Sequence, residues 1–438
     1  MELINSIIGF IIAIGILVTF HEYGHFIVAR LCNVKVLKFS VGFGKALFKY
    51  QSAKHSTEYS LCAIPLGGYV QMLESKTPEG KKNDVNEEDY DYCFDKKNVY
   101  QRFAIVAAGP IFNLILASVF FTMTYMNGIG GIKPTIHLSD NNDNYKIIAV
   151  NDKEVARWQD VRIEILNNVM NNNQISLSLI NSLNSVTDYK LNYDPAVLNS
   201  EGDIIQNIGL NIVYPNREAI IGSVSNKSNN SNMMIGDKIL YADNISVSTW
   251  DDFVSIIHSN PNKTIDITAL RSNNTVNYPV TILNKNSKGY LGVSHKVDMS
   301  DYVNVSYGFS NSISKAISST TDYTLLTFKM IGRLVMGEAN VKNLSGPLSI
   351  AQFSGKSLEM GLSYFLYLLA ILSVSLGVLN LLPIPMLDGG HLVYYSYEII
   401  TGRELPMNIQ VVAQFAGVAI LGLIMVVAFY NDFIRIFT

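Results

Sequence analysis

His21, Glu22 and His25 lie together in GILVTFHEYGHFIVARL, residues 15–31, a stretch that is otherwise almost wholly apolar. On an α-helix, positions four apart stand one turn apart on the same face. Two imidazoles so placed can hold one zinc ion, and the glutamate beside the first can act as general base toward water. With 7 histidines in 438 residues, a chance H-E-x-x-H is rare. A carboxylate near the centre of a spanning helix costs roughly 2.5–3.5 kcal/mol even on the mildest insertion scale, and such residues mark functional cavities. A helix end that has already reached the membrane interface would explain solvated histidines, but not their spacing.

A catalytic zinc takes three protein ligands and keeps one position open for water. The candidate for the third is Asp388, in VLNLLPIPMLDGGHLVYY, residues 378–395, because it is the acidic residue closest to the end of that apolar run. His391 follows closely and is either a ligand, a supporting partner, or a helix-start histidine with no metal role. Glu359 and Glu398 flank the same run without a Pro-Gly turn to aim them. His55, His137, His258 and His295 lie in polar segments and read as surface residues. Pro383 and Pro385 end the preceding helix and favour extended backbone. Gly389 and Gly390 permit close approach. Non-helical backbone at membrane depth survives only inside protein or beside a wet cavity. An extended Pro383–Leu387 segment could therefore hydrogen-bond a substrate's backbone. The Asn380 amide, one turn earlier, could do the same, or could join two helices.

These groups need a scaffold. The chain is 48% hydrophobic and only 16% charged, against about 25% charged for an average soluble domain. Its apolar residues are concentrated in blocks. Four of them, Leu3–Ala29, Phe103–Met126, Tyr364–Leu382 and Val411–Phe429, approach or exceed the roughly 20 residues that a bilayer requires. The first begins Met1-Glu2 without a basic region and is too long for a signal peptide, so it is expected in the mature protein. A net charge of −3 offers no basic footprint for nucleic acid. Lys and Arg are denser between Arg30 and Arg102 than in the longer segment after the second block. That bias places Leu31–Arg102 inside and both termini outside. Cys32, Cys62 and Cys93 all precede residue 100 and lack zinc-knuckle or disulfide spacing, which fits reduced thiols on that inner side. In this topology the first and third spans both enter from outside, and His21 and Asp388 come to one level.

The polar middle repeats itself. IIAVNDKEVARWQDV from Ile147 aligns with ILYADNISVSTWDDF from Ile239. Trp158 matches Trp250, Val155 matches Val247 and Asp160 matches Asp252, with the pairs Asn151-Asp152 and Asp243-Asn244 at equivalent turns. Later, QISLSLI matches DITALRS. Each copy reads as strand, tight turn, short strand, helix, strand. The Gly236-Asp237 turn of the second copy resembles that of PDZ domains, which bind peptides by strand addition; the first copy lacks the pair. Plain packing modules without a ligand are the alternative.

Taken together, HEYGH in the first span, AGPIFN (108–113) opening the second, the tandem PDZ-like copies and NLLPIPMLDGG ending the third resemble the site-2 protease family of intramembrane zinc metalloproteases. The resemblance covers nearly the whole chain. It implies His21, His25 and Asp388 as zinc ligands, Glu22 as catalytic base and Asn380 in substrate contact. It also implies a membrane-associated β-hairpin with a G-x-G turn, matched by SVGFGKALF (40–48) with Gly42 and Gly44. The amphipathic segment it implies before the third span is matched by SGPLSIAQFSG from Ser345. The degenerate first PDZ turn and the acidic insert around NDVNEEDYDY depart from the pattern.

The expected fold class is a multi-pass α-helical membrane protein with four transmembrane helices and two inserted α+β PDZ-like domains. The expected divisions are 1–134, 135–216, 217–300 and 301–438. The expected function is zinc-dependent hydrolysis of a peptide bond in or near the transmembrane helix of a pre-trimmed single-span membrane protein. An anti-sigma factor or a signal-peptide remnant would be that substrate. The setting is a bacterial inner membrane, with the lipid bilayer as a further partner. The PDZ-like domains would be periplasmic, binding a peptide or filtering substrates by size, and the active site would face the cytoplasmic side. One rival is a membrane-anchored PDZ scaffold with a non-catalytic metal site, which leaves Glu22 without a use. The other is a metal-ion carrier, which would show repeated membrane halves.

Overall fold

The computed structural model describes residues 2–53, 56–76, 85–138, 141–181, 183–194, 197, 204–212, 218–225, 232–285, 288–296 and 301–437. The chain divides into two units, Met1–Ile129 with Val305–Thr438, and Gly130–Asn304. The divisions at 134/135 and 300/301 expected from sequence thus move outward. The reason is that strands Ile129–Ile132 and Tyr302–Val305 pair with each other. The expected division at 216/217 and residue 300 lie outside the described residues.

Helix α1 spans Glu2–Leu31. Strands β1 (Val36–Gln51) and β2 (Glu58–Met72) follow. They are more than a plain hairpin. Residues 36–41 pair with 68–72 on one side and with 58–61 on the other, and 46–51 pair with 58–62. Each strand therefore folds back on itself, β1 at Gly42 and Gly44 (φ +88° and +84°) and β2 at Gly67 (φ +149°). Backbone of this hand is inexpensive only for glycine. The expected G-x-G turn is thus a bend inside β1, not the connection between the strands. That connection includes His55, which lies outside the described residues. Helix α2, Val99–Asn127, starts at Asn98, whose side chain accepts the Gln101 N–H. Pro110 sits within it and removes one backbone donor.

In the second unit, one sheet runs in the order Val186–Leu191, Ile175–Ile180, Asn141–Val150, Thr135–Leu138, Asn211–Ile212, with Lys153–Glu154 paired to Asn141–Val150. Helices α3 (Trp158–Met170) and α4 (Ile204–Asn207) accompany it. A second, four-stranded sheet runs Ile245–Ser246, Lys238–Ala242, Thr264–Arg271, Asn274–Thr281, and is joined by α5 (Trp250–His258). The repeated strand–turn–strand–helix–strand order is present in both. Asn151-Asp152 (φ +44° and +66°) and Asp243-Asn244 (φ +53° and +63°) make equivalent turns, as two-residue hairpins with consecutive positive φ require. Trp158 and Trp250 open the equivalent helices and are buried. Asp160 Oδ2 accepts the Arg157 N–H at 3.1 Å, and Asp252 Oδ2 accepts the Thr249 N–H at 2.8 Å. The matched aspartates therefore close matched helix starts. His137 and His258 are exposed, but His295 is half-buried with its ring centroid 5.8 Å from that of Trp250.

The first unit resumes with α6 (Phe309–Val335), α7 (Pro347–Met360), α8 (Leu362–Leu381), α9 (Asp388–Thr401) and α10 (Met407–Phe437). Hydropathy gives no sign of α6, whose polar residues are spent on α2. Ser118 Oγ and Thr320 Oγ1 hydrogen-bond at 2.9 Å, and the Tyr125 hydroxyl meets Ser319 Oγ at 2.8 Å. The segment expected from Ser345 is α7, whose backbone at Ser354 and Gly355 lies against Gly9 and Ser6 of α1. Leu17 of α1, Phe121 of α2, and Leu369 and Val378 of α8 meet in one apolar core. Among the described residues, Leu3–Leu31, Val99–Asn127, Leu362–Leu381 and Met407–Arg435 are long and apolar enough to cross a membrane, and each overlaps its expected span. The three cysteines are free thiols.

Candidate metal centre

Helix α1 carries His21 and His25 on one face, with ring centroids 4.8 Å apart and the rings nearly perpendicular. Asp388 arrives as the first residue of α9. His21 Nε2 lies 3.1 Å from Asp388 Oδ2 and His25 Nε2 lies 3.4 Å from it, while the two Nε2 atoms are 3.2 Å apart. Among the described residues, these are the three side chains whose donor atoms gather closely enough to share an ion. Donors around a tetrahedral zinc with bonds of roughly 2.0–2.1 Å stand about 3.3–3.4 Å apart, so the triangle has the dimensions that zinc requires. Asp388 Oδ2 is buried and has no hydrogen-bond partner among the described residues. A cation would satisfy that orphaned acceptor. His25 Nδ1–H donates to the Ile105 carbonyl at 2.9 Å. A carbonyl can only accept, so His25 Nε2 carries the lone pair.

A tight loop delivers Asp388. Helix α8 ends at Leu381, and the Leu387 N–H donates to the Ile384 carbonyl at 3.0 Å. Pro385 and Met386 are the central residues of that turn, and Met386 has φ +91°. Proline second and positive φ third is the type II pattern, which ordinarily selects glycine or asparagine third. The Ile384 N–H also donates back to the Leu382 carbonyl at 2.7 Å. The Pro383–Leu387 segment is therefore turned, not extended as expected. Two short-range hydrogen bonds close it, and the prolines fix φ without offering donors of their own. A Cβ on Gly389 would lie 2.0 Å from the Leu382 carbonyl oxygen, and one on Gly390 would lie 2.6 Å from that of Ile384. The glycine pair lets α9 pack onto its own entry loop. From α2, Arg102 Nη2 donates to Glu398 Oε1 at 2.6 Å, and its guanidinium lies 5.1 Å from the Tyr395 ring centroid. Glu398 is thus engaged in positioning α9. Glu359 accepts the Asn5 side-chain amide at 2.7 Å.

Glu22 lies beside the sheet. A Cβ on Gly68 of β2 would sit 3.0 Å from Glu22 Cγ, and His25, His21 and Asp388 are all within its electrostatic reach. Gly42 lies against the Ile64 carbonyl, 2.7 Å from where its Cβ would be. Gly44 continues the bend at the exposed end of β1. Asn380 is half-buried in the last turn of α8. Pro383 and Pro385 follow it, and His391 stands in the first turn of α9 with its ring 5.8 Å from that of Tyr394, outside the donor triangle.

Two neighbours of the triangle were not singled out from sequence, and both belong to AGPIFN. A Cβ on Gly109 would lie 2.3 Å from His25 Nε2 and 2.7 Å from His21 Cε1. Asn113 is fully buried, its Nδ2 3.2 Å from His21 Nδ1. The available signal was an asparagine and a Gly-Pro pair inside an apolar run, an exception to hydrocarbon of the same kind as HEYGH.

The chain matches peptidase family M50 over residues 9–424. It is 35% identical over 453 residues to the regulator of sigma E protease of Haemophilus influenzae, covering 100% of both chains. It is 33% identical over 451 residues to the regulator of sigma-E protease RseP of Escherichia coli, covering 98% of each. A Vibrio cholerae relative named "Putative zinc metalloprotease" is 33% identical over 462 residues, covering 99% of this chain and 100% of the relative. Similarity of this extent, over the helices that carry the triangle, shows that the chain belongs to peptidase family M50, the intramembrane zinc metalloproteases of the site-2 type.

Proposed function

We propose that His21 Nε2, His25 Nε2 and Asp388 Oδ2 hold the zinc and that Glu22 is the catalytic base. The observation that carries this assignment is the donor triangle, with edges of 3.1, 3.2 and 3.4 Å and an orphaned Oδ2 at one corner. Bound zinc supplies Lewis acidity, lowering the pKa of its water toward about 7 and polarising a carbonyl. Glu22 takes a proton from the attacking water and delivers it to the leaving amine. Its place between the donor triangle and Gly68 of β2 supports that role.

A substrate helix hides its carbonyls in its own i→i−4 hydrogen bonds, so it must unwind before attack. The sheet formed by β1 and β2 captures the unwound backbone by strand addition, with Gly42 and Gly44 setting the bend that keeps its edge beside Glu22. Asn380 hydrogen-bonds the same stretch of substrate through its amide. Pro383 and Pro385 act by rigidifying the turn that delivers Asp388, and not by presenting a strand edge. A proline substituted into the edge that receives substrate should abolish cleavage while leaving zinc bound.

The four apolar helices cross the inner membrane of a bacterium, with residues 32–98 on the cytoplasmic side, where the Lys and Arg residues are concentrated. The middle unit is then periplasmic, and its two lobes are PDZ-like domains that act as a size filter and contact a peptide or substrate segment. The substrate is a single-span membrane protein already trimmed on its outer side, an anti-sigma factor or a signal-peptide remnant. Deleting residues 135–300 should permit cleavage of untrimmed substrate; unchanged selectivity would remove the filter from this scheme.

The decisive experiment is cleavage of a tagged single-span test protein by the purified enzyme in detergent, beside Glu22→Gln. The variant should keep its zinc and lose activity by about 10²–10⁴-fold. Equal cleavage by both proteins would overturn the assignment of Glu22.

A further inference from the structure

We infer that the Asn113 side chain serves His21 as a hydrogen-bond acceptor, turning its carbonyl oxygen to His21 Nδ1–H and so fixing the tautomer whose Nε2 can bind zinc. The inference rests on His21 being a zinc ligand.

Asn113 lies in α2, and its backbone and side chain have separate tasks. The Asn113 carbonyl accepts the Ser373 hydroxyl of α8 at 2.7 Å, and its Cβ would be 3.4 Å from one placed on Gly377. The residue is thus pinned between two helices, while its terminal amide can still turn about χ2. With the amino group toward His21, Nδ2 stands 3.2 Å from Nδ1. A donor there requires a lone pair on Nδ1, which leaves the His21 proton on Nε2, inside the donor triangle. The cost of that arrangement is visible at Asn113 Oδ1, which is buried with no hydrogen-bond partner among the described residues.

One rotation gives that oxygen a partner. Amide oxygen and nitrogen are nearly isosteric, and their placement follows from the hydrogen-bond network around them. Turned over, Asn113 Oδ1 accepts His21 Nδ1–H. The Nε2 lone pair then joins those of His25 Nε2 and Asp388 Oδ2 in a set composed only of metal-binding atoms. The Ile105 carbonyl already does the equivalent service for His25. Each histidine would then have its distal nitrogen held by an oxygen supplied by α2, one from backbone and one from side chain. Partners of this kind typically change metal affinity by about 10–100-fold.

The test uses the full chain in detergent and reads zinc affinity by chelator competition, with the visible spectrum of the cobalt-substituted protein as an independent signature of the ligand field. Asn113→Leu removes the acceptor at similar size. Asn113→Ala removes it without added bulk, in case leucine prevents folding. Asn113→Asp keeps an acceptor and cannot present an amino group. Zinc affinity should fall by about 10–100-fold in the leucine and alanine variants and be retained in the aspartate variant. Zinc binding within threefold of wild type in folded leucine or alanine variants would overturn the inference. So would an aspartate variant as weak as alanine, because packing alone would then explain the loss. His21→Ala separates the two levels: undiminished zinc binding there would remove His21 from the ligand set itself.

Discussion

Gly109 stands against the histidine pair: a single methyl group there would come within 2.3 Å of His25 Nε2. Helix α2 is therefore part of the candidate metal centre without donating an atom to the triangle, and its closeness sets where the rings can stand.

Gly109→Ala should consequently displace both imidazoles. Overpacking of this kind costs typically about 1–3 kcal/mol, and here the displaced atoms belong to the donor triangle proposed to hold zinc. The variant should bind zinc at least about tenfold more weakly in chelator competition, tenfold corresponding to roughly 1.4 kcal/mol. Gly15→Ala, with nothing within 4 Å of the new Cβ, is the matched control and should retain its zinc. Metal analysis of the two proteins checks the contrast.

Met386 holds a positive φ of 91° in the turn before Asp388. A β-branched residue tolerates that conformation worst. Met386→Val should lower stability by about 1–3 kcal/mol, whereas Met386→Gly should be tolerated. Thermal unfolding of the two variants in the same detergent, with zinc content as second readout, would show whether the strain lies at this residue.

In the second lobe of the middle unit, Asp237 is buried and accepts from Arg271 Nε and Nη2 at 2.7 Å each, from the Met234 N–H at 3.0 Å and from the Tyr278 hydroxyl at 2.9 Å. Burial pushes its carboxyl up, but these donors outweigh burial and hold it below the usual carboxylate range. A depressed folded-state pKa contributes stability above the unfolded value of about 3.9 and loses it as pH falls through the folded one. Trp250, in the same core, can report the loss in a Trp158→Phe background. Its acid transition should shift to higher pH, and the lobe should weaken at neutral pH, in Asp237→Ala. An unchanged acid transition would mean that another carboxylate governs it.

Helix α10 is fastened at one end by Asp432, which accepts the Gly346, Leu348 and Ser349 N–H groups at 2.9, 2.9 and 3.0 Å at the start of α7. Asn431 Nδ2 adds a bond to the Val341 carbonyl at 2.7 Å. Losing a helix cap costs about 0.5–2 kcal/mol, and this cap also joins two helices. Asp432→Ala should raise hydrogen exchange at residues 346–350 without changing exchange in α2. Equal protection in variant and wild type would show that α10 is held elsewhere.

Features that depend on short stretches of chain were legible in the sequence. The H-E-x-x-H spacing fixes a helical face because α-helices have one period. Four apolar runs announced their helices because bilayer thickness sets one length. The repeat in the middle unit showed in its turns, since Asn151-Asp152 and Asp243-Asn244 carry the positive φ values of a two-residue hairpin locally, and in Asp160 and Asp252, which close helix starts only three residues away. Even the carboxylate at Asp388 could be chosen by its place at the end of an apolar run. What tertiary structure decided is everything that needs partners distant in sequence. The proline segment closes on itself through Leu387 and Ile384 and packs against Gly417 of α10, whose Cβ would lie 2.0 Å from the Pro385 carbonyl oxygen, an outcome that φ restriction alone does not select. The glycines at 42, 44 and 67 became bends because β1 and β2 each pair twice. Helix α6 exists against α2, where its serines and threonines find hydroxyl partners, and hydropathy cannot register a helix stabilised that way. Gly109 and Asn113 gained their roles only when α2 was laid across α1. A glycine and an asparagine carry no local sign of what will stand opposite them, because close approach and a completed hydrogen bond are properties of two surfaces.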